Sequence, residues 1–358
     1  MKRAKKLLIV AGVVVCLVAL LVPTACGGDE EEGEATPAPA AKVYEWKLQT
    51  TESPGMVSYD KVFPEFVDSV EEMSDGRLKL ELFPNGALVP EREIHDAVGE
   101  GVIEMGFSTG AFWAGTVPVA VLALGLPFSC ETMEEMEVWL WDRGVVDVLR
   151  EAYEEHDVYL LSPVIGMPYG SIMSKEPIRT LEDLEGKKIR TIGYFGQIWA
   201  GAGATPTDTP IAEIYTSIAT GTVDGANIGN ADRFYAIDLY EVAKYYTMPP
   251  LSAYASGEFI VNMDKWNELP EDLKEILTVA AKRASTQFAT QFAYGDAEAL
   301  TKMQKEHGVE IITFSDEDVE ALREIAVGVW DTLAQMSDYN EQVVDITKEY
   351  MRYLGRLD

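Results

Sequence analysis

The chain has 358 residues and carries 60 Asp and Glu against 29 Lys and Arg, a formal net charge of −31 at pH 7. So strong an acidic excess makes nucleic acid and anionic membrane surfaces poor partners. A content of 47% hydrophobic and 10% aromatic residues can fill the cores of two ordinary domains, which excludes a disordered acidic tail.

Residues 1–25 read as an export signal separate from the globule. Lys2, Arg3, Lys5 and Lys6 precede the apolar run 7–22, and Thr24-Ala25 supply small residues before Cys26. The run is also about long enough to cross a bilayer as an uncleaved helical anchor. Cys26 directly after Thr24-Ala25, with the polar stretch "GGDEEEGEATPAPAA" following at once, favours a lipoprotein signal with Cys26 as the lipidated residue. Pro23 departs from the bacterial lipobox, where leucine is usual. Removing the signal takes away four cations and no anions, leaving 25 bases against 60 acids and a net charge near −35.

Residues 26–42, mostly Gly, Glu, Pro and Ala without periodicity, read as a flexible tether. Of three cysteines, only Cys130 then belongs to the mature fold beyond the tether. It can form no intramolecular disulfide there and reads as a small core residue.

From Val43 onwards strand-like and helix-like segments alternate: "VYEWKLQT", a helical pattern over 56–74, "RLKLELF", a helix over 90–99, then "VIEMGFST". Such alternation predicts α/β layers. The chain end differs, with long amphipathic helices predicted over 270–305 and 315–353, the first opening at Pro270 and closing near Gly308.

One internal echo stands out. "EIHDAVGEGVIEMG" at 93–106 aligns without gaps on "EIYTSIATGTVDGA" at 213–226, each reading as helix, glycine stop and strand. This local solution is common in α/β proteins, so one echo does not establish duplication; it is also what two similar lobes would produce. Ligands of open α/β sheets sit beyond the carboxyl ends of strands. The echo therefore sets Phe107-Ser108-Thr109 and Asn227-Ile228-Gly229 at matching places on one cleft.

Motifs of catalysis are missing. His95, His156 and His307 lack partners at metal-ligand spacing and read as solvated surface histidines; no Walker loop, C-x-x-C pair or G-x-S-x-G elbow occurs. "GAGATP" at 201–206 lacks the third glycine of a dinucleotide fingerprint and reads as a helix end and turn. Paired-carboxylate catalysis stays open, because 60 acids make chance pairs easy to draw.

Within "RTLEDLEGKKIRTIGYFG", Thr180-Leu181-Glu182-Asp183 predicts a capped turn, Gly186 breaks it, and 187–191 form a strand. Strand alternation puts Lys188 and Arg190 on one face, with Arg190 beside the Thr191-Ile192-Gly193 turn where a strand's carboxyl end would meet a cleft. A guanidinium there offers a planar fork for a carboxylate. The competing reading is an arginine paired with one of many surface acids, and Lys188 is assigned to that reading.

Taken together, "SDGRLKLELFPNGAL" at 74–88, "RTLEDLEGKKIRT" at 179–191, "EIYTSIATGTVDGA" at 213–226, "LYEVAKYY" at 239–246 and "FIVNMDKWNELPEDLKEIL" at 259–277 resemble the extracytoplasmic solute-binding proteins of TRAP transporters, the DctP-like family. The resemblance covers nearly all of the mature chain. It implies a two-lobed α/β periplasmic-binding-protein, or venus-flytrap, fold with long C-terminal helices, one of them spanning both lobes. It also implies closure on a small organic acid and delivery to an ion-driven TRAP permease in the membrane. The expected boundaries are 43–165 for lobe 1, 166–260 for lobe 2 and 270–355 for the long helices.

The family's carboxylate-binding arginine falls on Arg190. Around it are expected Ser108, Phe112 and Trp113 from the first lobe, Tyr169, Tyr194 and Phe195 from the second, and the hydrogen-bonding Asn227 and Asn230. For Phe112, Trp113 and Tyr169 core packing is an equal alternative, and Asn230 is also suited to a turn. Some keto-acid-binding relatives hold a cation through a carboxylate at the position of Asn227. The neutral amide here implies direct binding without metal or cofactor. With Arg190 as the single well-placed guanidinium and Trp113, Tyr194 and Phe195 covering an apolar body, a monocarboxylate is expected. A secreted enzyme on the same fold and a ligand-sensing lipoprotein of a signalling system are the competing functions.

Overall fold

A computed structural model describes residues 42–254 and 256–357. The signal expected over 1–25, Cys26 and nearly all of the tether expected over 26–42 lie outside the described residues.

Among the described residues, eleven strands form two sheets. Strands β1 (Tyr44–Thr50), β2 (Leu78–Phe83), β3 (Met105–Ser108) and β4 (Val158–Ile165) come first. They are followed by β5 (Met173–Ser174), β6 (Lys188–Arg190), β7 (Thr205–Thr207), β8 (Gly225–Ala226) and β9 (Tyr245–Met248), and finally by β10 (Ser256–Asn262) and β11 (Glu310–Thr313). The first sheet has the order β2-β1-β3-β10-β4 and the second β11-β9-β5-β8-β6-β7.

The alternation legible in the sequence sets the first sheet. Along β1, Trp46 and Leu48 are buried while Glu45 and Lys47 face solvent. On its parallel neighbour β2, Leu78 and Leu80 are buried and Lys79 and Glu81 are exposed. The helix Phe63–Met73 covers this inner face with Phe63, Phe66 and Val70, spaced to share one helical stripe.

β10 lies antiparallel between β3 and β4 in the first sheet. The second lobe, expected to run to about 260, therefore ends before Ser256, because the chain returns to complete the first sheet. The run "GEFIVN" is mostly apolar, as suits a strand covered on both sides.

The helix Glu271–Lys305 serves both lobes. Leu273, Leu277, Phe288 and Phe292 pack in the first core with Trp46, Phe63 and Phe259, whereas Ala299 and Met303 join Ile214, Phe234 and Tyr246 in the second. The single helix expected over 315–353 is two, Asp316–Ala334 and Asp338–Tyr353. Ser337 divides them by capping the second, its Oγ accepting from the Asn340 amide at 3.1 Å. The first packs on the helix Gly193–Gly201 and the second on Val145–Glu154, within a third apolar cluster that draws on both lobes.

The two echoed segments fold alike: the helices Ile94–Gly99 and Ile214–Ala219 each end in a turn with a left-handed glycine, Gly101 (φ 72°) and Gly221 (φ 74°), and lead into β3 and β8.

His95 departs from its surface reading. It is fully buried, with Nε2 2.6 Å from Glu258 Oε1, and the Tyr153 hydroxyl donates to Glu258 Oε2 at 2.9 Å. A carboxylate taken out of water requires such partners, and this one lies 163 residues away in sequence. Cys130 is buried and free, and burial pushes its thiol up to about 12.

Candidate functional site

A cleft of about 560 Å³ opens between the two sheets, lined from both lobes. Arg190 enters it from the end of β6, where Ile189 turns into the core and Lys188 stays exposed. Its guanidinium is almost wholly buried and held by two backbone carbonyls: Nε donates to Thr209 O at 2.8 Å and Nη1 to Asn227 O at 3.1 Å. Burial pulls its pKa below the usual arginine range, and nearby Arg92 acts in the same direction against Tyr169 and Asp208. No carboxylate pairs with it among the described residues, so the fork keeps donors for an incoming anion.

The turn before β6 forms as the sequence indicated. Asp183 Oδ2 accepts from the Arg179 and Thr180 amides at 2.8 and 3.2 Å, closing a capping box on Leu181–Leu184.

Of the residues expected around Arg190, Ser108, Phe112, Tyr169, Tyr194 and Phe195 line the cleft. Ser108 ends β3 with a buried hydroxyl that has no partner. Phe112 lies beneath the Arg92 guanidinium at 4.9 Å. Tyr169 and Phe195 pack with ring centroids 4.5 Å apart. Tyr194 and Phe195 occupy the first turn of the helix Gly193–Gly201, and the Tyr194 hydroxyl crosses to the first lobe, donating to Gly125 O at 2.7 Å.

Three of the expected residues, Trp113, Asn227 and Asn230, fall outside the lining of the cleft. Trp113 belongs to the core of the first lobe: its ring stacks on His95 at 4.9 Å and its Nε1 donates to Asp96 Oδ1 at 2.7 Å. Asn227 sits behind Arg190 and outside the lining, with Nδ2 donating to Ser171 O at 3.1 Å. Asn230 takes the turn role, capping the helix Ala231–Ala236 as its Oδ1 accepts from the Arg233 amide at 3.3 Å. A strand-end amide satisfies backbone nearby more readily than it reaches into a cleft.

Charged residues the sequence did not single out complete the lining: Glu52, Glu91, Arg92, Asp208 and Arg233. Arg190 is therefore not the lone guanidinium. Arg233 donates to Glu52 Oε1 at 3.2 Å across the cleft, and Ser58 Oγ donates to Glu52 Oε2 at 2.5 Å. Glu91 accepts from Asn85 Nδ2 at 2.9 Å. With three guanidiniums and three carboxylates the lining carries no net charge.

The model of the family described as "Bacterial extracellular solute-binding protein, family 7" matches residues 48–336. The monocarboxylate 2-oxoacid-binding periplasmic protein of Nostoc sp. (strain PCC 7120 / SAG 25.82 / UTEX 2576) is 27% identical over 295 residues, covering 80% of this chain and 78% of the relative. The 2,3-diketo-L-gulonate-binding periplasmic protein of Escherichia coli (strain K12) is 30% identical over 253 residues, 70% of this chain and 76% of the relative. Among solved structures, a TRAP periplasmic solute binding protein from Pseudoalteromonas atlantica T6c with bound sodium and pyruvate superposes with a TM-score of 0.76 at 26% identity. It covers 88% of this chain and 95% of that one.

Proposed function

The chain belongs to family 7 of the bacterial extracellular solute-binding proteins, and from that premise we propose that its cleft holds a small monocarboxylate on Arg190 and releases it to an ion-driven TRAP-type permease. Membership makes the protein an extracytoplasmic solute receptor of a family of receptors rather than enzymes. The observation that carries the ligand reading is the Arg190 guanidinium, buried, braced by Thr209 O and Asn227 O, and free of any carboxylate partner among the described residues. A buried cation without a counter-charge is costly, and a ligand carboxylate would relieve that cost.

A single carboxylate suits the lining better than two, because Arg233 is already paired with Glu52 while Arg190 is the buried guanidinium with no carboxylate on it among the described residues. Binding is direct in this reading: Asn227 lies outside the lining and brings no charge to a cation, and both oxygens of Glu52 are already engaged by Arg233 and Ser58. The lipid tether at Cys26 belongs to the same proposal and would keep the receptor at the membrane face where a permease works.

Mass spectrometry of the small molecules that co-purify, followed by a thermal-shift panel of mono- and dicarboxylates with and without chelator, tests the reading. A co-purifying monocarboxylate that stabilises the wild type and not Arg190→Ala is expected. Stabilisation only by dicarboxylates, or stabilisation abolished by chelator, would overturn it. Turnover of a bound acid would favour the enzyme reading instead.

A further inference from the structure

The walls of the cleft carry information about the part of the ligand that Arg190 does not touch. Phe107 and Phe288 stack with centroids 5.3 Å apart at 17°, and Phe292 lies 5.8 Å from Phe288. All three line the cleft from the first lobe and the long helix, as do Phe112 of the first lobe and the Tyr169–Phe195 pair of the second. An apolar body placed between the lobes would meet aromatic surface from both sides.

Neutral hydrogen-bonding groups are scarce by comparison. Among the described residues no Asn, Gln, His, Lys or Trp lines the cleft. The Tyr194 hydroxyl proton is committed to Gly125 O, and the Thr109 hydroxyl accepts from the Ala111 amide. Ser108 Oγ is buried and without a partner, and the Thr51 and Tyr169 hydroxyls also line the cleft.

An acid of two or three carbons would leave most of the roughly 560 Å³ to water and forgo the aromatic walls.

Resting on the reading that Arg190 holds a carboxylate, we propose that the ligand is a monocarboxylate with an aryl or bulky branched-alkyl body that fills the space between the aromatic walls.

Titration calorimetry on the wild type, Arg190→Ala and Phe112→Ala, with folding checked by circular dichroism, distinguishes the outcomes. The probes are phenylacetate, phenylpyruvate, 4-methyl-2-oxopentanoate, pyruvate, glucuronate and succinate. At least one of the first three is expected to bind ten or more times tighter than pyruvate and glucuronate. Arg190→Ala should abolish that binding and Phe112→Ala weaken it about tenfold. If pyruvate, glucuronate or succinate binds as tightly as the best bulky acid, and needs Arg190, the apolar-body inference fails while the carboxylate reading stands. A Phe112→Ala variant with unchanged affinity also overturns the inference. Binding that survives Arg190→Ala, or no binding by any probe, overturns the carboxylate reading and this inference with it.

Discussion

The Arg233 guanidinium, on a helix of the second lobe, meets Glu52 Oε1, just past β1 of the first, at 3.2 Å across the mouth of the cleft. Glu52 is nearly buried, and Ser58 occupies its other oxygen. Gly229 makes room, since a Cβ at that position would lie 3.0 Å from Arg233 Cδ. The pair therefore ties the two lobes by side chains alone. Arg233 is partly exposed, so the expected coupling in a double-mutant cycle with Glu52→Gln and Arg233→Ala is modest, about 1–2 kcal/mol. Each single variant should also raise the ligand-free radius of gyration in solution scattering. Additive effects and an unchanged radius would show that the pair holds nothing together.

At Arg190, removing the side chain should cost on the order of 2–5 kcal/mol in ligand affinity, as for one partner of a buried ion pair. Arg190→Lys should recover little, because an ammonium cannot reproduce a fork whose Nε and Nη1 are anchored on Thr209 O and Asn227 O. Near-normal calorimetric affinity in the lysine variant would contradict that geometry.

The carboxyl of Asp296, in the C-terminal half of the long helix, is raised to about 6, first by burial and further by the neighbouring Asp232. A folded-state pKa above the ordinary aspartate value means that the folded protein binds more protons than the unfolded chain in this window. The contribution to stability therefore falls as pH rises from about 4 to about 6. Asp296→Asn keeps an acceptor for the Asp232 amide, which now bonds Asp296 Oδ1 at 3.0 Å. It should remove a decline of up to about 2 kcal/mol across that window. Denaturant titrations of both proteins at pH 4, 5 and 6 check the sign, and parallel profiles would refute it.

Gly257, on the cleft wall, faces the Phe107 ring: a Cβ there would stand 2.6 Å from Phe107 Cζ. Phe107 cannot easily yield, being packed against Phe63, Phe259 and Phe288. Gly257→Ala should destabilise by about 1–3 kcal/mol through overpacking and weaken ligand binding as the ring moves into the cleft. An unchanged melting temperature would show that the ring has room to shift.

Cys26→Ser should move the protein from the membrane fraction to the soluble one, or leave the signal uncleaved, since stable anchoring needs more than one acyl chain. A wild-type protein already soluble, with its mature N-terminus beyond Cys26, would remove the tether from the proposal.

Arg190 was legible because strand alternation and a following glycine turn place one side chain at a strand end, both local properties. The capping box at Thr180–Asp183 was legible for the same reason. Trp113 was not, because an aromatic in a glycine-rich turn can face either way and only the distant His95 and Asp96 decide. Glu52, Arg92, Asp208 and Arg233 were hidden among 60 acids and 29 bases, where no local pattern marks the ones that meet across lobes. The break at Ser337 was present as a helix-start signal, but continuous amphipathic periodicity on both sides masked it.

Among the described residues the chain passes between the two sheets three times: from β4 to β5, from β9 to β10, and along the helix Glu271–Lys305 into β11. Two bodies joined by a single strand could slide, twist and bend independently. Three crossings, one of them a stiff rod seated in both cores, resist sliding and twisting and leave bending as the soft direction. Any opening would thereby be guided back to the same register, and groups from opposite lobes, such as the Tyr194 hydroxyl and the Gly125 carbonyl, would meet at hydrogen-bonding distance each time without a search.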